Sequence, residues 1–124
     1  MIGKNINSTK ILEQNKNSWD AMADSWFGST ALPSYGCLVP SEEELQLFPA
    51  LTGKKVLDIG CGSGHSLKWC KEHGAEEIWG LDMSTRQLEN ARTYLTQSGY
   101  EPHLINAPME SDCGLPTDYF DVVY

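Results

Sequence analysis

Three glycines alternate with other residues in the segment 58–64, which overlaps the end of the apolar run 56–59. A short apolar run that ends in glycines is typical of a buried parallel strand, and residues 65–73 predict a helix that ends at Gly74. Glycines at such a junction allow a tight turn and let a ligand approach the main chain, which a Cβ atom would obstruct. Three alternating glycines exceed what an ordinary turn requires. The segment therefore predicts a site for a nucleoside-bearing ligand.

Further strands and a further helix follow this glycine-rich segment. Residues 77–82 predict a second strand, and Ser84 with Gln87 has the form of a capping box for the next helix. Residues 103–106 predict a third strand, and residues 119–124 predict a fourth. Strands that alternate with helices predict an α/β fold with an open, mostly parallel sheet and helices on both faces.

The chain ends inside its fourth predicted strand. Residues 120–124 have no polar ending, so this strand would form an uncovered apolar edge of the sheet. We therefore expect the fold to be truncated after the fourth strand, with residues that this chain lacks completing the sheet.

The first 53 residues predict a helical extension that precedes a sheet domain over residues 54–124. Residues 1–16 are polar and predict a weak helix or a loosely docked arm. Four residues with i, i+3, i+4 and i+7 spacing then share one helical face. These residues are Trp19, Met22, Ala23 and Trp26. Ser41 with Glu44 has the form of a second capping box, which predicts a short helix.

Three residues near the glycines bear on the kind of ligand. A dinucleotide fingerprint requires a small residue where this chain has His65. Asp58 lies inside an apolar strand, where it either braces loop amides or faces a ligand. Its charge would repel a pyrophosphate and favour the ammonium and sulfonium groups of S-adenosylmethionine. Asp82 ends the second strand 22 residues after Gly60, a spacing that favours a ribose-binding carboxylate over an exposed acid at a helix entry.

The motifs in segments 56–64, 80–84, 115–116 and 120–123 resemble, in order and spacing, those of class I S-adenosylmethionine-dependent methyltransferases. The resemblance covers about residues 54–124, and the first motif is its most specific part. It implies a Rossmann-like fold with strand order 3-2-1-4, S-adenosylmethionine as the cofactor, and methyl transfer as the reaction. The chain would then be the cofactor-binding half of such an enzyme.

The resemblance also implies roles for individual residues. The loop from Gly60 to Gly64 would approach the methionine part of the cofactor, Asp82 would bind the ribose, and Met83 would lie against the adenine. Asn106 with Ala107 stands where the family often has an acidic residue followed by alanine near the adenine amino group. The residues expected to bind the cofactor are Asp58, Gly60, Cys61, Gly62, Gly64, Asp82, Met83, Asn106 and Ala107.

Two further features leave their roles open. The aromatic face around Trp19 and Trp26 resembles the lid helix that many of these enzymes fold over the cofactor, and packing into the core is the alternative. His65, His73 and His103 form no triad or metal set with an acid at a telling spacing. The sequence therefore identifies no catalytic base and predicts no metal site.

Composition bears on partners and location. A net charge of −8 and a pI near 4.7 provide no basic field for nucleic acid, so we expect a small-molecule acceptor and no nucleic-acid partner. The four cysteines form no CxxC pair, and no apolar run approaches the ~20 residues of a membrane helix. We expect a cytoplasmic protein without a membrane partner, and the oligomeric state is left open.

The predicted function is S-adenosylmethionine-dependent methyl transfer, in which this chain alone could be inactive. One alternative is a non-catalytic chain that binds S-adenosylmethionine or S-adenosylhomocysteine. The other, less favoured because of His65 and Asp58, is a nicotinamide-dependent oxidoreductase.

Overall fold

The computed structural model describes residues 2–29 and 31–124, with side chains described from residue 8 onward in these ranges. The described elements are α1 (Ile2–Met22), α2 (Glu42–Leu45), β1 (Lys55–Ile59), α3 (His65–Glu72), β2 (Glu77–Asp82), α4 (Thr85–Gln97), β3 (His103–Asn106) and β4 (Val122–Val123). None of the described helices is both long and apolar enough to cross a lipid bilayer.

The four strands form one sheet in the order β3-β2-β1-β4, and each neighbouring pair is parallel. This topology confirms the predicted α/β fold and its strand order. Asp58 of β1 pairs with Gly80 of β2, so the glycine loop after β1 and Asp82 at the end of β2 lie at the same edge of the sheet. Ligands of open α/β sheets bind at this carboxyl edge.

Helices α3 and α4 contact each other and the central strands. The core between helices and sheet consists of apolar side chains that are almost completely buried, among them Val56, Leu67, Cys70, Ile78 and Leu95. Trp79 alternates with Ile78 along β2, and its indole packs against Tyr119 and Phe120. Because Tyr119 and Phe120 pack on Trp79 and do not pair with β1, strand β4 is shorter than the predicted strand 119–124.

Helix α1 is longer than the aromatic face alone predicted, because it includes the whole polar stretch from residue 2. It ends at Met22, and turns follow. Of the predicted apolar face only Ala23 is buried, whereas Trp19, Met22 and Trp26 are each about 40% exposed. The helix and the turn after it dock on α4 mainly through polar contacts of Lys16, Asp20 and Asp24, so the aromatic face does not belong to the core.

The two predicted capping boxes have different outcomes. Ser84 caps α4, and its Oγ accepts a hydrogen bond from the Gln87 N–H at 3.1 Å. The short helix predicted after Ser41 is present as α2, with Ser41 at its N-cap, but the Ser41 side chain makes no capping hydrogen bond, so the predicted capping box is wrong. The buried Glu42 carboxylate organises this region instead, by accepting hydrogen bonds from the Phe48 N–H at 2.7 Å and from the Tyr35 hydroxyl.

Candidate functional site

A cavity of about 420 Å³ opens at the carboxyl edge of the sheet, next to the last turn of α1. Its volume lies in the range of cavities that bind small molecules and cofactors. Its walls come from the α1 region, the glycine loop, the ends of β1 and β2, the first turn of α4 and the segment after β3. The lining includes Trp19, Trp26, Gly60, Cys61, Gly62, His65, Asp82, Met83, Gln87, Ala107, Met109 and Glu110.

The three glycines of the loop have different roles. All three have positive φ angles, of 77° at Gly60, 53° at Gly62 and 83° at Gly64, which other residues adopt at a cost. A Cβ atom at Gly60 would meet no atom within 4 Å, so this glycine faces open space in the cavity. A Cβ at Gly64 would lie 3.0 Å from Leu95 and 3.2 Å from Ala91. Gly64 therefore permits close packing of α3 against α4 and is not part of the lining.

The backbone amides of the loop are used inside the protein. The N–H groups of Gly60 and Cys61 donate to the Leu81 carbonyl at 2.7 and 3.0 Å. The Gly62 N–H donates to Asp82 Oδ2 at 2.9 Å. These three donors point to β2, so they do not form the anion-binding nest that holds a pyrophosphate.

Asp82 lines the cavity at the position that the sequence predicted for a ribose-binding carboxylate. Besides the bond from Gly62, its Oδ1 accepts from the Ser84 N–H at 2.8 Å. An ionised carboxylate has about four acceptor positions, so two protein bonds leave capacity for ligand hydroxyls. Asp82 therefore fixes the loop and the entry to α4 while its carboxylate contributes to the cavity wall.

Asp58 lies outside the cavity lining, although the sequence placed it among the cofactor contacts. Its side chain is buried at 7% exposure, where it receives a hydrogen bond from the Tyr124 hydroxyl. Burial, with the nearby charge of Asp82, raises the pKa of Asp58 to about 7, although the Tyr124 bond lowers it in part. The partner of this strand carboxylate is thus the Tyr124 side chain, and the loop amides of the bracing alternative bond to Leu81 and Asp82 instead.

Of the residues at the ends of β2 and β3, some line the cavity and others support its wall. Met83 and Ala107 line the cavity, and the Ala107 N–H donates to the Asp82 carbonyl at 3.1 Å. Asn106 does not line it. Its Nδ2 donates to the same carbonyl at 3.1 Å, and its Oδ1 accepts from the Thr85 hydroxyl at 3.1 Å. Asn106 ties the end of β3 to the start of α4.

Cys61 lines the cavity, and its thiol is buried against β2. A Cβ atom at Gly80 would lie only 2.6 Å from the Cys61 Sγ, so Gly80 leaves the room that this thiol occupies. Burial raises the pKa of Cys61 well above its usual range, and the charge of Asp58 adds to this effect. A thiol that stays protonated is a packing group and not a nucleophile.

Sequence reasoning missed Gln87 as a cavity residue. This side chain is 5% exposed, lines the cavity, and its amide lies beside Gly62. Its Oε1 is a buried side-chain acceptor without a hydrogen-bond partner in the part of the chain that the structure describes. A buried acceptor without a donor costs about 1–3 kcal/mol, so a ligand donor or bound water is needed here. The only sequence signal was its place in the capping box.

His65 and two tryptophans complete the wall beneath the last turn of α1. The His65 ring stacks on Tyr94 at 3.9 Å, and its Nδ1 is 2.9 Å from the Ser63 Oγ. Partial burial, with the charge of Lys68, lowers the pKa of His65, so the ring is neutral at pH 7. Trp19 and Trp26 pack edge to face at 6.1 Å and line the cavity.

Comparison with known proteins agrees with this geometry. Residues 56–124 match the family described as "Methyltransferase domain". The chain is 40% identical over 82 residues to an uncharacterized protein of Haemophilus influenzae, covering 64% of this chain and 32% of that protein. It is 38% identical over 74 residues to the ubiquinone biosynthesis O-methyltransferase of Stutzerimonas stutzeri, covering 60% and 32%.

Solved structures show the same fold. An S-adenosylmethionine-dependent methyltransferase of Mesorhizobium loti matches with a TM-score of 0.56 and 33% identity, over 64% of this chain and 36% of that one. A protein of Pyrococcus horikoshii matches with a TM-score of 0.57 and 26% identity, over 66% and 38%.

The chain spans about a third of the length of the curated relatives above. The family match covers 69 of the 124 residues, from the first residues of β1 to the end of the sequence. These findings confirm the predicted resemblance and, at the level of the family, S-adenosylmethionine as its cofactor. The chain therefore belongs to the methyltransferase domain family.

Proposed function

We propose that the cavity binds S-adenosylmethionine and that the protein transfers a methyl group to a small-molecule acceptor. The charge of the cavity wall carries this proposal. Its described lining contains the carboxylates of Asp82 and Glu110 and includes no lysine or arginine. Such a wall favours a ligand with cationic groups over one with phosphates.

The residues present fit this cofactor. Asp82 has acceptor capacity for ribose hydroxyls, the backbone at Gly60 offers open space for the methionine part, and Met83 with Ala107 offers a surface for the adenine. The unpartnered Gln87 Oε1 requires a hydrogen-bond donor. In this proposal Asp58, Gly64 and Asn106 act by supporting the wall and not by contact with the cofactor.

The bound cofactor would supply a methyl group that is activated for transfer by the positively charged sulfur atom to which it is attached. The chain supplies alignment and exclusion of water. Trp19 and Trp26 cover the cavity from the α1 side, and the braced loop fixes the opposite wall. No described residue is assigned as a catalytic base.

The acceptor is proposed to be an apolar small molecule that receives the methyl group on oxygen. Trp19, Trp26, Pro108 and Met109 give the cavity an aromatic and apolar wall, which suits a flat apolar compound. Relatives named as ubiquinone biosynthesis O-methyltransferases support an oxygen acceptor. The net charge of −8 speaks against a nucleic-acid acceptor.

A cytoplasmic location also belongs to the proposal. All four cysteines of the chain are free, with Cys37 exposed. Free thiols are typical of a reducing compartment.

Calorimetric titration with S-adenosylmethionine, S-adenosylhomocysteine and NAD tests the cofactor assignment. We expect both sulfur nucleosides to bind and NAD not to bind. Gly60→Ala should weaken binding, and Gly53→Ala is the matched control. Gly53 has a similar φ of 72°, and a Cβ atom there would also meet no atom within 4 Å, but Gly53 does not line the cavity. Binding of NAD in preference to the nucleosides would refute the proposal.

Methyl transfer from labelled S-adenosylmethionine to a panel of flat apolar compounds that carry a hydroxyl group tests the reaction. Tight cofactor binding without transfer to any acceptor would support the alternative of a chain that only binds the cofactor.

A further inference from the structure

Asp20 of α1 makes two hydrogen bonds to the first turn of α4. Its Oδ1 accepts from the Ser84 hydroxyl at 2.6 Å and from the Arg86 N–H at 3.1 Å. Its Oδ2 accepts from Lys16 Nζ at 2.8 Å. A carboxylate at the N-terminus of a helix satisfies a free amide and interacts favourably with the helix dipole. Asp20 therefore caps a helix to which it does not belong.

The bond to Ser84 continues into the cavity wall. Ser84 is completely buried, and its backbone N–H donates to Asp82 Oδ1 at 2.8 Å. The other oxygen of Asp82 accepts from the Gly62 N–H at 2.9 Å. Three successive links thus connect α1 through Ser84 and Asp82 to the glycine loop.

The hydroxyl of Ser84 has a single proton, and its direction is fixed from both sides. The oxygen accepts from the Gln87 N–H at 3.1 Å, and the proton is donated to Asp20. Hydrogen bonds from Lys16 and Ser84 outweigh the opposing effect of partial burial and lower the pKa of Asp20 to about 2. Asp20 is thus a charged acceptor throughout the physiological range, and charged acceptors make the stronger hydrogen bonds.

Asp20 also sits next to the residues that cover the cavity. Trp19 precedes it directly, and both Trp19 and Trp26 line the cavity. Asp24, one turn further on, holds the same segment by accepting bonds from Arg86 Nε and Asn90 Nδ2, both at 2.9 Å. Asp24 contacts side chains of α4 and does not contact Ser84. Asp24 therefore anchors this segment without a link to the cavity wall, whereas Asp20 has such a link through Ser84.

We infer that Asp20 is a positioning residue that couples the seating of α1 over the cavity to the orientation of the Asp82 carboxylate. This inference rests on the proposed cofactor site. Loss of Asp20 frees the Ser84 hydroxyl, so the wall around Asp82 loses its link to α1 and its order, while Asp24 still holds this segment on α4. Cofactor affinity falls although Asp20 itself does not line the cavity.

The test compares three variants of the protein by titration with S-adenosylhomocysteine. Asp20→Ala should weaken binding by about ten-fold or more, the equivalent of one charge-assisted hydrogen bond. Asp20→Asn retains an oxygen that can accept from Ser84 but not the charge, so its affinity should lie between those of wild type and Asp20→Ala. Asp24→Ala, the matched control, removes exposed anchors of α1 and should change the affinity by less than about three-fold.

Hydrogen exchange of the ligand-free protein is the second readout. Asp20→Ala should speed exchange of the Gly62 and Ser84 amides, and Asp24→Ala should leave both unchanged. Equal effects of Asp20→Ala and Asp24→Ala on affinity and exchange would overturn the inference. If the wild-type protein fails to bind S-adenosylhomocysteine, the proposed function fails, and the exchange measurement still decides whether Asp20 orders the loop.

Discussion

The backbone N–H of Gly62 donates to the carboxylate of Asp82 at 2.9 Å, which joins the loop after β1 to the end of β2 across the floor of the cavity. The same carboxylate accepts from Ser84 at 2.8 Å. Asp82 is therefore both a brace of the cavity wall and the proposed ribose acceptor. Substitutions at Asp82 affect protein stability and ligand binding together, so the two effects require separate measurements.

Asp82→Ala should lower both the free energy of unfolding and the affinity for the cofactor. The brace bonds end on a charged group, and bonds of that kind contribute about 1.5–3 kcal/mol each. Loss of ribose contacts of the same strength corresponds to a fall in affinity of on the order of 10- to 150-fold. S-adenosylmethionine and S-adenosylhomocysteine should weaken about equally, because both carry the ribose. Calorimetry with both ligands measures this.

Asp121→Ala is the control for the Asp82 experiment. The Asp121 carboxylate accepts from the Lys55 N–H at 2.9 Å, at the opposite end of β1 from the cavity. This variant should lose stability and keep its cofactor affinity. Unchanged affinity in Asp82→Ala would remove Asp82 from the binding site.

Gly60→Ala and Gly64→Ala should separate ligand binding from packing. Both residues have positive φ angles, so each alanine carries backbone strain of about 1–2 kcal/mol. The Gly64 methyl would also press on Leu95 at 3.0 Å, and overpacking of this kind typically costs about 1–3 kcal/mol more. Gly64→Ala should therefore have the lower melting temperature and Gly60→Ala the weaker binding of S-adenosylhomocysteine. The reverse ranking in both measurements would contradict these roles.

Much of the fold follows from local sequence signals. The run 56–59 and the segment 77–82 are short and mostly apolar, and their alternation with helical segments predicts a parallel sheet. The predicted bounds of β2 and β3 agree with the structure. Strand β4 was predicted too long because Tyr119 and Phe120 pack on Trp79 instead of extending the ladder, and this contact between distant segments leaves no periodic signal.

The lining of the cavity was predictable for residues that lie at or directly after the ends of strands. Gly60 and Asp82 could be placed from strand ends, because the carboxyl ends of parallel strands meet at one edge. The roles of Asp58, Gly64 and Gln87 depend on side chains that approach from elsewhere in the fold. Tyr124 lies beyond β4 and reaches Asp58 only because that strand pairs with β1.

Cofactor binding should change the fluorescence of Trp19 and Trp26. Each is about 40% exposed and lines the cavity, so a ligand that covers the indoles should shift their emission to shorter wavelength or quench it. The double variant Trp19→Phe/Trp26→Phe should lose most of the change seen on titration with S-adenosylhomocysteine. Trp79→Phe, which alters an indole packed against Tyr119, should keep it. A signal that depends on Trp79 alone would place the ligand away from α1.

Asp58 should make stability fall as pH rises between about 4 and 7. Its pKa in the folded protein is about 7 because of burial, against an ordinary value of 3.8. In this window the folded state keeps a proton that the unfolded state has lost, so the contribution to stability is complete below the unfolded pKa and is lost as pH rises through the folded pKa. Asp58→Asn should remove this loss of stability, which amounts to at most about 4 kcal/mol in the free energy of unfolding at pH 8.

Denaturant unfolding of wild type and Asp58→Asn at several pH values measures this difference directly, because other titrating groups cancel in the comparison. The variant should gain relative stability progressively from pH 4 and level off above pH 7. Tyr124→Phe provides an independent check on the cause. This variant lacks the hydroxyl whose hydrogen bond lowers the pKa of Asp58. In the Tyr124→Phe background, the stability loss due to Asp58 should therefore extend to higher pH than in wild type. A difference between wild type and Asp58→Asn that stays constant from pH 4 to pH 8 would show that the Asp58 carboxyl keeps an ordinary pKa in the folded protein.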